Sequence, residues 1–271
     1  MPTAKVAVVP CAGRGTRLRP LSDTIPKPVL PLGERPALFH IVEEAIQAEI
    51  SRVILVVPAD PLLQRLAESA LADVPVKVDF LTQKRPTGLG TAVSLACRYL
   101  ASEGEERFLL QLPDVVRKPH ALGALKVLQD IATESGHAAL SLSSKFVSEA
   151  SQHGVVEVRE SGPLSAIKEV TNFIEKPRGY KSAKSDIFIA GGRYAFATEE
   201  ILRALPESLL RDATEDCEVD LTFALDAAIA QGALLGVPSE DYADIGSWDG
   251  YREASAAHFK SLPKRKGHAG E

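Results

Sequence analysis

Three runs of this 271-residue chain, Lys5 to Val9, Arg52 to Val57 and Arg107 to Leu112, are apolar at successive positions instead of at every second one. Successive side chains of a strand point to opposite faces, so a continuous apolar run belongs to a strand covered on both sides. The stretches between them carry helical spacing. Leu38, Ile41, Val42, Ala45 and Ile46 share one helix face, with Pro36 where a first helical turn tolerates it. Leu62, Leu63, Leu66 and Ala70 repeat the pattern, as do Leu122, Leu125 and Leu128. Strand and helix alternate in this way from residue 5 to about residue 143, which predicts an α/β fold whose sheet is mostly parallel with helices on both faces.

After that the texture changes. Gly154 to Val158, Ala166 to Glu175 and Ile187 to Phe196 are strand-like with no long helix between them, which predicts a small β-rich, antiparallel or mixed extension. Helices are expected at Thr198 to Leu205 and at Leu221 to Gln231, the latter with Leu221, Ala224, Leu225, Ala228 and Ile229 on one face. A strand at Leu234 to Val237 and a helix from about Trp248 to Lys260 follow. The chain therefore reads as one domain over residues 1–262, with halves at 1–143 and 144–262, and residues 263–271 as a flexible tail.

Composition excludes several function classes. The net charge is −5, and the one basic cluster, Lys264-Arg265-Lys266, reads as a solvated end, so no nucleic-acid partner is expected. No apolar stretch is long enough to span a bilayer and no signal-peptide layout precedes Val6, which points to a cytoplasmic protein without a membrane partner. Cys11, Cys97 and Cys217 are odd in number and far apart, so neither a disulfide framework nor a CxxC metal site is indicated. Neither a paired-histidine zinc motif nor a GxSxG elbow occurs.

The first apolar run empties into Pro10-Cys11-Ala12-Gly13-Arg14-Gly15-Thr16-Arg17-Leu18. A turn of small residues leaves backbone N–H groups free to converge on an anion, and Gly13 and Gly15 permit the close approach. Glycines alone would indicate only a tight turn. Arg14 and Arg17 add forked phosphate donors, and Lys27 stands between Pro26 and Pro28, which are expected to hold it on a stiff, extended support. No GK[ST] follows, and no third glycine completes GxGxxG, so a Walker ATPase and a nicotinamide dehydrogenase both lose ground.

Gly13-Arg14-Gly15-Thr16-Arg17-Leu18-Arg19-Pro20, then Pro26-Lys27-Pro28 and Leu30-Pro31-Leu32, resemble the N-terminal signature of the sugar-phosphate nucleotidyltransferases. Within that family the chain is most similar to the branch acting on UTP and glucose 1-phosphate, and the likeness runs from Val6 to about Tyr251. It implies a Rossmann-like sheet of the nucleotide-diphospho-sugar transferase type. Gln83 with Gly88-Leu89-Gly90-Thr91-Ala92 resembles the family's base-reading element, and a carboxamide can both accept and donate along a uracil edge. Asp114, in Leu112-Pro113-Asp114-Val115, resembles the family's magnesium ligand, with Asp244 of Asp244-Ile245-Gly246 as the second carboxylate. Glu175-Lys176-Pro177, Gly154 and Gly191-Gly192-Arg193-Tyr194 resemble the segments that hold the sugar phosphate. The chain departs from the family pattern at His153, commonly Tyr, and at Gly191, commonly bulkier.

The resemblance implies transfer of a uridylyl group from UTP to glucose 1-phosphate with Mg²⁺ as cofactor and pyrophosphate leaving. Arg17, Lys27, Asp114 and Lys176 are the implied catalytic set. Ala12, Gly13, Gly15, Thr16, Gln83 and Gly88 join Arg17, Lys27 and Asp114 around the nucleotide. Gly154, Glu175, Lys176, Gly191 and Gly192 take the sugar phosphate, and Asp114 and Asp244 the metal. Thymidylyl transfer from dTTP, another sugar 1-phosphate, and a non-catalytic nucleotide-sugar-binding regulator stay open; a dinucleotide oxidoreductase is more distant. The family often self-associates, so a homo-oligomer is expected.

Overall fold

The structure, a computed structural model, describes residues 2–159, 166–182, 184–211, 213–214 and 217–262. The basic cluster at 264–266 and the expected tail lie outside these residues. Thirteen strands occur in chain order among them: β1 (Val6–Pro10), β2 (Pro31–Leu32), β3 (Arg35–Pro36), β4 (Arg52–Pro58), β5 (Lys77–Gln83), β6 (Arg107–Gln111), β7 (Val115–Arg117), β8 (Ala138–Phe146), β9 (Gly154–Arg159), β10 (Lys168–Glu175), β11 (Asp186–Ala197), β12 (Leu234–Pro238) and β13 (Tyr242–Asp244). The helices are α1 (Ala37–Gln47), α2 (Pro61–Ala70), α3 (Leu89–Ser102), α4 (Leu125–Ser135), α5 (Thr198–Ala204), α6 (Glu207–Arg211), α7 (Thr222–Ala230) and α8 (Trp248–Ser261).

Nine strands form one mixed sheet in the order β5-β4-β1-β6-β11-β8-β12-β10-β9. The first four are mutually parallel. β11 joins antiparallel to β6, β8 lies antiparallel to β11 and parallel to β12, and β10 lies antiparallel to both β12 and β9. The expectation of a parallel first part and a mixed extension is met, except that β8 belongs to the mixed part. β7 and β13 pair antiparallel as a separate ribbon.

The continuous apolar runs supply both faces. Ala7, Val9, Val53, Leu55 and Leu109 join a core with α1, α2 and α4; Val6, Val8, Ile54, Val56, Phe108 and Leu110 join the other with α3, α5 and α7. α1 buries Leu38, Ile41, Val42 and Ala45 as its spacing predicts. Three expectations are corrected. Leu122 is 91% exposed and precedes α4, so it belongs to a loop. In α2 only Leu63 and Ala67 are buried, while Leu62 and Leu66 point outward. Pro36 caps α1 in an extended conformation instead of occupying its first turn. In the first two cases apolar side chains outnumber the places the neighbouring layer offers, which spacing cannot count.

The chain runs from β1 outward to β4 and β5, then returns to place β6 on the other side of β1. The order therefore reverses between β1 and β6, and ligands of open α/β sheets bind at such a reversal, outside the carboxyl ends of the strands. The loops that leave β1 at Cys11 and β6 at Leu112 flank it.

Candidate active site

Cys11 N–H still donates to the Val56 carbonyl (2.7 Å), so the loop leaves the sheet at Ala12. Gly15 adopts a left-handed conformation (φ 63°, ψ 30°), and its carbonyl accepts from Leu18 N–H, closing a 3-10 turn over Thr16–Leu18. Only glycine takes that conformation without strain. Leu18 is buried and anchors the turn, which leaves the Arg17 side chain 53% exposed. Burial pushes the Cys11 thiol up to about 12 against the pull of Lys27, so it stays protonated at neutral pH and is no nucleophile. Lys27 is the first residue of a later 3-10 turn, Lys27–Val29, and not part of an extended segment. A fixed proline φ suits the opening of a helical turn as well as an extended chain, and Pro28 takes the former.

A cavity of about 440 Å³ opens at the reversal, lined among others by Ala12, Gly13, Arg14, Gly15, Thr16, Lys27, Gln83, Gly88 and Asp114. Gln83 ends β5 and is buried; its Nε2 donates to Thr91 Oγ1 (2.7 Å) and to the Gly88 carbonyl (3.3 Å). The carboxamide oxygen is the end left for a ligand. Gly88 caps α3 at φ 107°, and a Cβ there would stand 2.3 Å from the Val219 carbonyl oxygen. Gly90 is equally tight against Asp220. The segment around Val219 is thus clamped over the start of α3, through Gly90 N–H to Val219 O (2.8 Å) and Val219 N–H to Thr87 O (3.0 Å).

The charged groups meet at Asp114, which follows β6. Lys27 Nζ donates to its Oδ2 at 2.8 Å, and Arg17 Nη2 lies 3.8 Å from the same oxygen. Burial would raise the Asp114 pKa, but the two cations outweigh it and hold the carboxyl below its usual range. Asp114 and Asp244 are brought together by the ribbon, in which Asp244 pairs with Val115 and Ile245 N–H donates to the Asp114 carbonyl (2.7 Å). A Cβ on Gly246 would stand 2.7 Å from Arg17 Nη2, 2.9 Å from Asp244 Oδ1 and 3.1 Å from Asp114 Oδ2. Two carboxylates and a guanidinium therefore ring one glycine. Among the described residues no group of three or more His, Cys, Asp and Glu could hold a metal, so an ion here would draw further ligands from water and substrate.

A second cavity, of about 260 Å³, is lined by Arg17, Asp114, His153, Gly154, Glu175, Lys176 and Asp244, and shares Asp114 with the first. Glu175 ends β10 opposite Gly154, where a Cβ would stand 2.5 Å from the Phe173 ring. Lys176 takes a positive φ of 42°, donates its N–H to the His153 carbonyl (3.1 Å), and places Nζ 2.6 Å from Glu175 Oε1. Burial holds the His153 imidazole below its ordinary range, opposed by the charge of Asp244. Gly191 lines an adjoining cavity that also reaches Arg17, His153 and Asp244. Gly192 lines none of these three cavities; its φ is 75°, and a Cβ there would stand 2.7 Å from Val115 Cγ2. Sequence reasoning missed Glu218, which lines both main cavities, and Asp220 and Thr222 in the second, which Tyr194 of the Gly191-Gly192-Arg193-Tyr194 segment also lines. Two of them flank the Val219 clamp, a contact that no local pattern signals.

A glycine-bearing loop at the strand-order reversal faces a carboxylate pair in this α/β protein, and the nucleotidyl transferase family model matches residues 6–261: the chain belongs to that family. It is 30% identical over 220 residues to a UTP–glucose-1-phosphate uridylyltransferase of Staphylococcus epidermidis, covering 73% of this chain and 74% of that one. Its fold matches UDP-glucose pyrophosphorylase complexed with UDP-glucose at a TM-score of 0.79 and 23% identity, covering 96% of this chain and all of the other. It also matches UTP-bound UGPase from Acinetobacter baumannii at a TM-score of 0.76 and 27% identity, over 96% and 95% of the two chains.

Proposed function

We propose that this protein transfers the uridylyl group of UTP to glucose 1-phosphate and releases pyrophosphate. The observation that carries the reading is the junction at Asp114, where one carboxylate borders both cavities with Lys27 and Arg17 on it and Asp244 beside it. Joining two phosphate esters needs a shared, cationic meeting point of this kind. An oxygen of the sugar phosphate forms a bond to the α-phosphorus of UTP while the bond from that phosphorus to the pyrophosphate oxygen breaks. The attacking phosphate is already ionised at neutral pH, so no general base is required. Mutual repulsion of two anions is the obstacle, and positioning with charge neutralisation removes it.

Arg17 and Lys27 take the nucleotide phosphates, and Lys176 the incoming sugar phosphate with Glu175 accepting from sugar hydroxyls. The Lys27 ammonium has three N–H donors, one of them on Asp114, so it can donate to a phosphate without leaving the carboxylate. Asp114 and Asp244, brought side by side by the ribbon register, suit Mg²⁺, which takes one or two carboxylates and completes its shell with water and phosphate. When bound there the ion supplies Lewis-acid stabilisation of charge on the α-phosphate. With its Nε2 already donating to Thr91 and Gly88, Gln83 accepts the N3–H of uracil, a donor that cytosine lacks, through its oxygen. The names of the staphylococcal relative and of the UTP-bound structure support the choice of nucleotide and sugar.

Thymine presents the same N3–H, and one methyl group is worth only about 1–3 kcal/mol in a pocket. The deciding experiment is therefore a pyrophosphate-release assay with Mg²⁺ that crosses UTP, dTTP and CTP with several sugar 1-phosphates. The expected result is fastest turnover with UTP and glucose 1-phosphate. Preference for dTTP would move the assignment to thymidylyl transfer, and no release with any pair would leave a binding protein.

A further inference from the structure

Glu44 lies on the face of α1 that is otherwise apolar, and it is 2% exposed; Arg193, in β11, is 0% exposed. Arg193 Nε and Nη2 lie 3.0 and 2.9 Å from Glu44 Oε2. Nη2 also donates to the Val115 carbonyl (2.9 Å), and Nη1 to the Gly192 carbonyl (3.2 Å). The other Glu44 oxygen accepts from Tyr242 OH at 2.5 Å, and the Tyr242 ring lies under the Arg193 guanidinium, 4.6 Å from ring centre to Cζ.

A fully buried ion pair is costly to desolvate, and well-packed apolar residues of similar volume often do as well or better for stability. The partners of this pair suggest what it supplies instead. Val115 follows Asp114, Tyr242 precedes Asp244 by two residues, and the two belong to opposite strands of the ribbon. That ribbon has three residues per strand, too few to hold a shape by itself. Its position is set by what it is tied to, and both of its strands are tied to Glu44, one through Arg193 and one directly.

We propose that the Glu44–Arg193 pair is a positioning device that holds the Asp114 and Asp244 carboxylates in register for a divalent cation; this rests on the metal reading of those aspartates. A cation site tolerates errors of only roughly half an ångström, and partners that orient ligands without touching the ion are worth 10–100-fold in affinity.

The test is the double substitution Glu44→Leu with Arg193→Met, which replaces the pair by apolar volume. Binding of Mn²⁺ in the presence of UTP is followed by electron paramagnetic resonance, and exchange of the Ile245 amide is followed in metal-free protein. The expected result is a melting temperature close to that of the parent, Mn²⁺ binding weakened at least about tenfold, and faster Ile245 exchange. Parent-like Mn²⁺ binding and exchange in the folded variant would overturn the proposal. Should the double variant fail to fold, Tyr242→Phe, which removes the hydroxyl that donates to Glu44 and accepts from Ala124 N–H, replaces it with the same expected directions and the same overturning result. Asp114→Asn separates the two claims: if it binds Mn²⁺ as the parent does, the metal reading fails, while Ile245 exchange still reports whether the pair positions the ribbon.

Discussion

Asp114 is the residue on which the reading turns, since it is the acceptor of Lys27 and the neighbour of Arg17 at once. Asp114→Asn keeps the shape and removes the charge, so turnover should fall by about 100-fold or more, as when a major electrostatic contribution is lost. Steady-state rates across a Mg²⁺ titration check this, and full activity would place the metal elsewhere. Lys27→Met should shift the acid limb of the pH–rate profile upward. The lysine is the strongest influence holding the Asp114 pKa down against burial, so without it the carboxyl protonates at higher pH. At the other end of the site, Lys176→Ala should raise KM for glucose 1-phosphate while leaving UTP affinity intact. Calorimetric titration with each ligand separates the two.

Elements, more than single residues, decide whether the first cavity, proposed to take the nucleotide, exists. The start of α3 and the segment around Val219 are in backbone contact, and Gly88 is the place where a side chain is forbidden both by φ 107° and by a carbonyl 2.3 Å from any Cβ. Neither neighbour is a flexible side-chain end that could swing away. Gly88→Ala should therefore push the clamp apart and displace Glu218 from the cavity. Loss of stability of about 1–3 kcal/mol with an even larger loss of UTP binding is expected, measured by denaturant melts and calorimetry. Unchanged UTP affinity would mean that the clamp does not shape the base pocket.

Across the whole molecule, α8 closes over the loops that follow the Thr16–Leu18 turn. Trp248 Nε1 donates to the Arg19 carbonyl (3.3 Å) and Tyr251 OH to the Pro31 carbonyl (3.0 Å), while His258 packs against His40 with ring centres 4.4 Å apart. Burial, joined by the neighbouring His40, lowers the His258 pKa to about 4 from an ordinary 6.5. Between those values the unfolded chain holds a proton that the folded chain does not, so acid favours unfolding. The contribution is complete above about pH 6.5 and is lost as pH falls toward 4. Melting temperature should decline through that window, and His258→Gln should flatten the decline; an equally steep fall in the variant would remove His258 as its source.

What the chain announced by itself was local. Apolar runs at successive positions specified strands covered on both faces, Gly15 specified the turn that bears Arg17, and the ordered motifs from Gly13 to Gly246 pointed to the family, because each depends on neighbours a few residues away. What the tertiary structure alone decided was convergence. The distance between Asp114 and Asp244 depends on the ribbon register, and the two cavities depend on a sheet order that reverses at β1. The clamp over Gly88 and the Glu44–Arg193 pair, 149 residues apart in sequence, have no local signature. Such contacts form only when distant segments are packed together, and the free energy that selects them belongs to the packed whole.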